Sequence, residues 1–203
     1  MTPVIGMNIP SEVSLRDPDI TRKCILDAAL KLFSQKGYHG TNVPDVAQEA
    51  AVGAGSIYRH FEDKQGLVNA LYREWKEKFR KEIMIPMPDM NLSFRDQFLE
   101  LWGRLWRFYR TNPNATVFLD VHAHGDYLRA ECRELALRFE EDLQQWIKAG
   151  QQEKVLTNAP PFQLIAMVYG SFLGLVKQEQ AGRPLKAGEI ERSGDLAWRI
   201  LEP

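Results

Sequence analysis

Between Thr41 and Lys64 the chain reads TNVPDVAQEAAVGAGSIYRHFEDK. Four residues in this stretch, Gly53, Ala54, Gly55 and Ser56, are small. They come just before a set of hydrogen-bonding side chains, Tyr58, Arg59, His60 and Lys64. Ile57 and Phe61, four apart, share the opposite face of a helix drawn through the segment. The chemistry on offer is recognition, not bond making. Small residues at a helix start let its backbone sit deep in a DNA major groove. An Arg can then read guanine through two hydrogen bonds, and a Tyr hydroxyl or a Lys ammonium suits phosphate.

Two other groups of residues invite a chemical reading. His122 and Asp126 are four apart and fall on one helix face, whereas His122 and His124 point in different directions. Two ligands are too few for a metal centre. The same pair would be the catalytic pair of an all-α enzyme, which is the rival reading. HExxH, P-loop, GxSxG and CxxC signatures are absent from the sequence, so catalytic residues, metal ligands and cofactors are expected to be none. The second group is Trp102, Trp106, Tyr109, Phe118, His122 and Tyr127. Apolar walls with a few polar anchors suit an organic ligand.

The elements that position these residues read as helices throughout. Apolar residues recur every three or four positions and strand alternation is absent. A first helix is expected from about Asp17 to Lys36, stopped by Gly37. A short second helix follows Asn42, which would cap it with Asp45 reaching back. After a turn at Ala51-Val52-Gly53, a third helix covers Ala54 to Phe61. This pair is a helix-turn-helix, whose second helix enters the major groove. A fourth helix runs to about Ile83, with Leu67, Leu71, Trp75 and Phe79 spaced by four. Beyond Pro86 and Pro88, further helices are expected near 93–111, 113–125, 129–151, 160–181 and 186–201.

Composition sets outer bounds. The chain has 203 residues, 44% of them hydrophobic and 26% charged, which fits a globular protein. A net charge of −1 is not that of a protein that coats nucleic acid without selectivity. The sequence has no apolar run long enough to span a membrane, and Met1 to Ser14 lacks the pattern of a signal peptide. Together with two distant cysteines, Cys24 and Cys132, this predicts a cytoplasmic protein with free thiols and no membrane partner.

The run from Ile20 to Leu71 resembles the DNA-binding domain of the TetR family of bacterial transcription regulators. Ile25-Leu26-Asp27-Ala28-Ala29, Leu32-Phe33, Gly37-Tyr38, Thr41, Val46-Ala47, Ala50 and Val52 carry the resemblance. It is strongest at Gly55-Ser56-Ile57-Tyr58-Arg59-His60-Phe61, followed by Lys64 and Leu67. The resemblance implies that Thr41 and Tyr58 contact phosphate, that His60 and Lys64 touch the DNA backbone, and that Ala54, Gly55, Ser56 and Arg59 face the bases. Pro44 stands where a basic residue often reaches DNA. Gly53 replaces a Ser-like cap, and Ala51 replaces the usual turn glycine.

The C-terminal part is similar to the family only in length and helicity. The fold implied is all-α. An N-terminal three-helix bundle with the helix-turn-helix is linked by a fourth helix to a larger ligand-binding and dimerisation bundle. The expected organisation is a flexible tail over 1–14, a DNA-binding domain over 15–64 and an effector domain over 65–203, with a connecting helix at 65–83. In the family the last helices pair two subunits. Gly170 and Gly174, one turn apart around Phe172, would let such helices approach closely. A palindromic site read by two recognition helices also favours a two-fold dimer. The implied function is a homodimeric repressor on a double-stranded operator, released by a small and largely apolar effector. An activator that needs no ligand release is the narrower alternative.

Overall fold

The computed structural model describes residues 17–203, so the expected N-terminal tail lies outside the described residues. Nine helices and no strand occur among them. The chain divides into two compact units, one ending at Val68 and the other running from Asn69 to Pro203.

The first unit contains α1 (Pro18–Lys36), α2 (Val43–Glu49), α3 (Ala54–Phe61) and the start of α4 (Lys64–Met84). Asp17 caps α1, its carboxylate accepting from the Asp19 N–H at 2.9 Å, and Pro18 takes the first helical position, where no amide partner is lost. The helix ends at Gly37 as expected, and its φ of 66° is one that glycine adopts freely. Ile25, Ala29, Phe33, Val46, Ile57 and Leu67 are at most 1% exposed and form the core of this unit. Asn42 does precede α2 as expected, but its side chain makes no capping bond. Its carbonyl instead accepts from the Val46 N–H at 3.2 Å.

The second unit contains the rest of α4 with α5 (Phe94–Thr111), α6 (Pro113–His122), α7 (Ala130–Gln152), α8 (Pro161–Gln180) and α9 (Ala187–Trp198). Two of these end earlier than their apolar pattern predicts. The chain turns out of α6 at His122, whose carbonyl accepts from Gly125 N–H at 3.1 Å. After α9 the chain tightens, with the Leu201 N–H on the Trp198 carbonyl at 2.8 Å. α5 lies against α9. Its Trp102 indole donates to Ser193 Oγ at 3.1 Å and covers Gly194, where an added Cβ would stand 2.8 Å from the ring. Trp146 of α7 donates to Gln97 Oε1 at 2.8 Å, and the Gln97 amide donates onward to the Leu92 carbonyl. These bonds satisfy buried indole N–H groups that would otherwise cost free energy.

Candidate nucleic-acid interface and interior cavity

The α2–α3 hairpin is closed by the Val52 N–H on the Ala47 carbonyl at 2.9 Å. Ala51 takes φ 54°, the conformation for which a glycine is the usual choice at this turn. α3 then opens at Gly53 without a side-chain cap. Ile57 and Phe61 point inward and anchor the helix. That leaves Ala54, Gly55, Tyr58 and Arg59 exposed, with Ser56 and His60 half-buried. Arg59 is steadied by a 3.3 Å bond from Nη2 to Ser56 Oγ. Tyr58 stands 53% exposed, with its ring on the outward face of α3. Pro44 is exposed at the first turn of α2.

Two residues expected to meet DNA have partners within the protein. Thr41 is fully buried, and its hydroxyl donates to the Gly37 carbonyl at 2.8 Å and the Leu32 carbonyl at 3.3 Å. Lys64 turns back over the loop before α2. Its ammonium donates to the Tyr38 and Thr41 carbonyls, each at 3.0 Å, and lies 4.2 Å from the centroid of the Tyr38 ring. Two of its three N–H donors are used inside the protein. A cation in the first turn of α4 opposes the helix dipole, and these carbonyls offset that cost. Both residues therefore fix the loop between α1 and α2.

One residue outside the sequence expectations also positions the interface. Asp63 caps α4, its Oδ1 accepting from Gly66 N–H at 2.6 Å. A Cβ on Gly66 would stand 1.9 Å from the Phe61 carbonyl oxygen. Only glycine lets α4 start this close to the end of α3.

The second unit holds a cavity of about 600 Å³. Of the six residues expected to line it, only Trp102 does. Trp106 is 2% exposed and packs its ring against Tyr109 and Phe172, with its N–H unbonded among the described residues. Tyr109 is buried with it, and burial pushes its hydroxyl pKa up. Phe118 lies tilted between Tyr72 and His122, at 6.3 and 4.5 Å between centroids. His122 is wholly buried, and its Nδ1 is hydrogen-bonded to the Tyr127 hydroxyl at 2.6 Å. Asp126 stands exposed, so the pair that an enzyme would need is not formed around an accessible imidazole. Phe172, assigned to the dimer interface, is 1% exposed and belongs to the core, while Gly170 and Gly174 are exposed on α8.

The cavity is walled instead by side chains from α4 to α8. α4 supplies Tyr72, Lys76, Phe79 and Ile83, and α7 supplies Phe139, Glu140 and Trp146. Asp120 and Tyr169 come from α6 and α8. Burial holds Lys76 down at about 8, although the negative charge of Glu140 works against the shift. Burial also pushes Tyr72 up to about 12, with Cys132 adding to the effect, and raises Tyr169, to which Asp120 contributes. One sequence signal marks this wall. Tyr72, Lys76, Phe79 and Ile83 form a stripe at helical spacing, with a lysine among apolar residues.

An all-α chain with an exposed recognition helix in one unit and a cavity in the other defines the class of helix-turn-helix regulators. The comparisons with known proteins identify which. Residues 25–71 match the family of bacterial regulatory proteins, tetR family, and residues 72–201 match the tetracyclin repressor-like C-terminal domain. The chain belongs to the TetR family, a family of transcription regulators and not of enzymes. Its first helices are 49% identical over 51 residues to the HTH-type transcriptional regulator YvkB of Bacillus subtilis, a match covering 25% of this chain and 27% of that protein. The match thus spans about a quarter of that relative's length. The fold is shared with a TetR family regulator from Marinobacter aquaeolei, at a TM-score of 0.80 and 18% identity over 91% of this chain and 96% of that one. It is also shared with AibR in complex with isovaleryl coenzyme A and operator DNA, at a TM-score of 0.74 and 18% identity over 90% and 98%. Among the described residues no helix is long and apolar enough to cross a membrane.

Proposed function

We propose that this protein is a cytoplasmic repressor that binds a palindromic operator as a homodimer and is released by a small organic effector. The observation that carries the reading is the outward face of α3, where Ala54 and Gly55 leave the backbone open beside Tyr58, Arg59 and His60. In this reading Arg59 and Ser56 meet base edges, and Tyr58 and His60 meet phosphate. Lys64 and Thr41 support the loop instead of touching DNA. The domain over 15–64 binds the operator, and the region over 65–203 takes effector and partner subunit.

The cavity supports an effector, because about 600 Å³ walled by aromatic rings suits a small organic molecule. AibR, which shares the fold, is known with both an acyl coenzyme A and operator DNA. The outer face of α8 supports a homodimer, since Met167 is 57% exposed on the same helix face as the open Gly174, away from the cavity lining. α4 runs unbroken from Lys64 to Met84 and lines the cavity, so it is the element through which a ligand would act on the helix-turn-helix. The coupling requires that the effector prefer one of two arrangements.

Selection from a pool of random duplexes tests the proposal. The expected product is a two-fold symmetric site with half-sites about 34–36 Å apart, or a multiple of that. Arg59→Ala should cost about 1–3 kcal/mol and relax preference at one base pair of each half-site. Failure to enrich any sequence would overturn the DNA-reading assignment of α3.

A further inference from the structure

The cavity carries one feature that a purely apolar ligand would leave unexplained. Lys76 is its only strongly basic side chain, and among the described residues it makes no hydrogen bond and no ion pair. Its ammonium lies between two rings, 4.8 Å from the centroid of Phe139 and 5.5 Å from that of Phe79. Cation–π contact at these distances recovers part of the lost hydration, and none of the hydrogen bonds. The other charged or titratable groups on the cavity wall are Glu140 from α7, Asp120 and His124 from α6 and the turn after it, and Tyr72 and Tyr169 from α4 and α8. Glu140 is engaged by the Gln144 amide at 3.1 Å, and His124 is exposed.

The shape of the cavity sets the rest of the ligand. Along α4 the lining residues run from Tyr72 to Ile83, a length of about 16 Å at the helical rise. Past Lys76 along α4 the wall is Phe79 and Ile83, and Phe98, Ile147, Leu164 and Leu201 add to the apolar lining, while the Trp102 and Trp146 indole N–H groups are already given to Ser193 and Gln97. A long apolar tail fits that end, and an anion fits the other.

Resting on the effector reading above, we infer that the cavity takes an amphipathic carboxylic acid, whose carboxylate accepts hydrogen bonds from the Lys76 ammonium while its hydrocarbon tail fills the apolar end. The ligand supplies the acceptors that the protein withholds from Lys76. A charge-assisted bond in a low-dielectric site is roughly twice as strong as a neutral one.

Calorimetric titration of the full-length protein with three ten-carbon probes tests this: decanoate, decanol and decyltrimethylammonium. Decanoate is expected to bind at least about tenfold more tightly than decanol. Lys76→Met should abolish that difference while keeping decanol affinity, and Lys76→Arg should retain it. Decanoate affinity should fall as pH rises through about 8, where the free amine loses its proton, and the Met variant should lose this dependence. Equal affinity for decanoate and decanol would overturn the carboxylate assignment and leave the effector site standing. Preference for decyltrimethylammonium would overturn it in favour of Asp120 and Glu140 as counter-charges. Binding of none of the three would overturn the effector reading of the cavity along with it.

Discussion

The two units arrange their polar chemistry in opposite ways. In the first, α3 keeps Ile57 and Phe61 inside and presents Tyr58 and Arg59 to the outside. In the second, Lys76 and Glu140 border a cavity between aromatic rings. An outward site needs only a rigid scaffold beneath it, because water already solvates the side chains it presents. An inward site must offset the desolvation of each polar group by a partner or a ligand. The first unit should therefore fail through its backbone, and the second through its hydrogen bonds. All five tryptophans, Trp75 to Trp198, lie beyond Val68, so their fluorescence follows the second unit alone, whereas far-ultraviolet dichroism follows both.

The largest effect is expected from Gly66→Ala. Alanine gains about 1 kcal/mol in helix propensity over glycine. A Cβ 1.9 Å from the Phe61 carbonyl oxygen overwhelms that gain, because the oxygen belongs to backbone and cannot swing away. The net cost should be about 3 kcal/mol, at the upper end of overpacking penalties. Thermal scans should show dichroism lost early while tryptophan fluorescence keeps its transition. Loss of both together would show that the two units melt as one.

Asn69→Ala probes the other side of the comparison. The Asn69 amide donates to the Tyr127 carbonyl at 2.9 Å, and its oxygen accepts from the Arg129 N–H at 2.6 Å. Asn69 is 5% exposed, so this side chain holds the turn before α7 against α4 through buried bonds. Losing both should cost about 2 kcal/mol and lower the tryptophan transition. An unchanged transition would mean that the turn is held by packing alone.

The same contrast explains what the sequence disclosed. The helices are legible because each writes its own period, and the recognition helix is legible because Gly53 to Phe61 contains the whole pattern in nine consecutive residues. Thr41 and Lys64 escape local reading. They are 23 residues apart, and their inward roles depend on the loop and α4 meeting. The cavity escapes more fully, since its wall is assembled from five helices. Trp106, Phe118 and His122 have the residue types of a pocket and the positions of a core, and only packing separates the two. Lys76 is the partial exception, because a charged residue inside an apolar stripe is visible as a conflict of pattern.

The smallest effect sharpens the reading of the hairpin itself. Ala51 holds φ 54°, where an L-residue with a Cβ pays about 1–2 kcal/mol relative to its usual conformations. Glycine would remove that strain but add freedom to the unfolded chain, at a cost of about 0.4–1 kcal/mol. The difference favours Ala51→Gly, with a net stabilisation of about 0.5–1 kcal/mol confined to the first unit. Denaturant titration should move the dichroism midpoint upward and leave the tryptophan midpoint in place. Ala51 is exposed and its side chain supports no buried contact, so packing loss does not compete with the gain. A destabilised variant would mean that the alanine conformation is not strained in solution, and that the α2–α3 turn adopts a different geometry there.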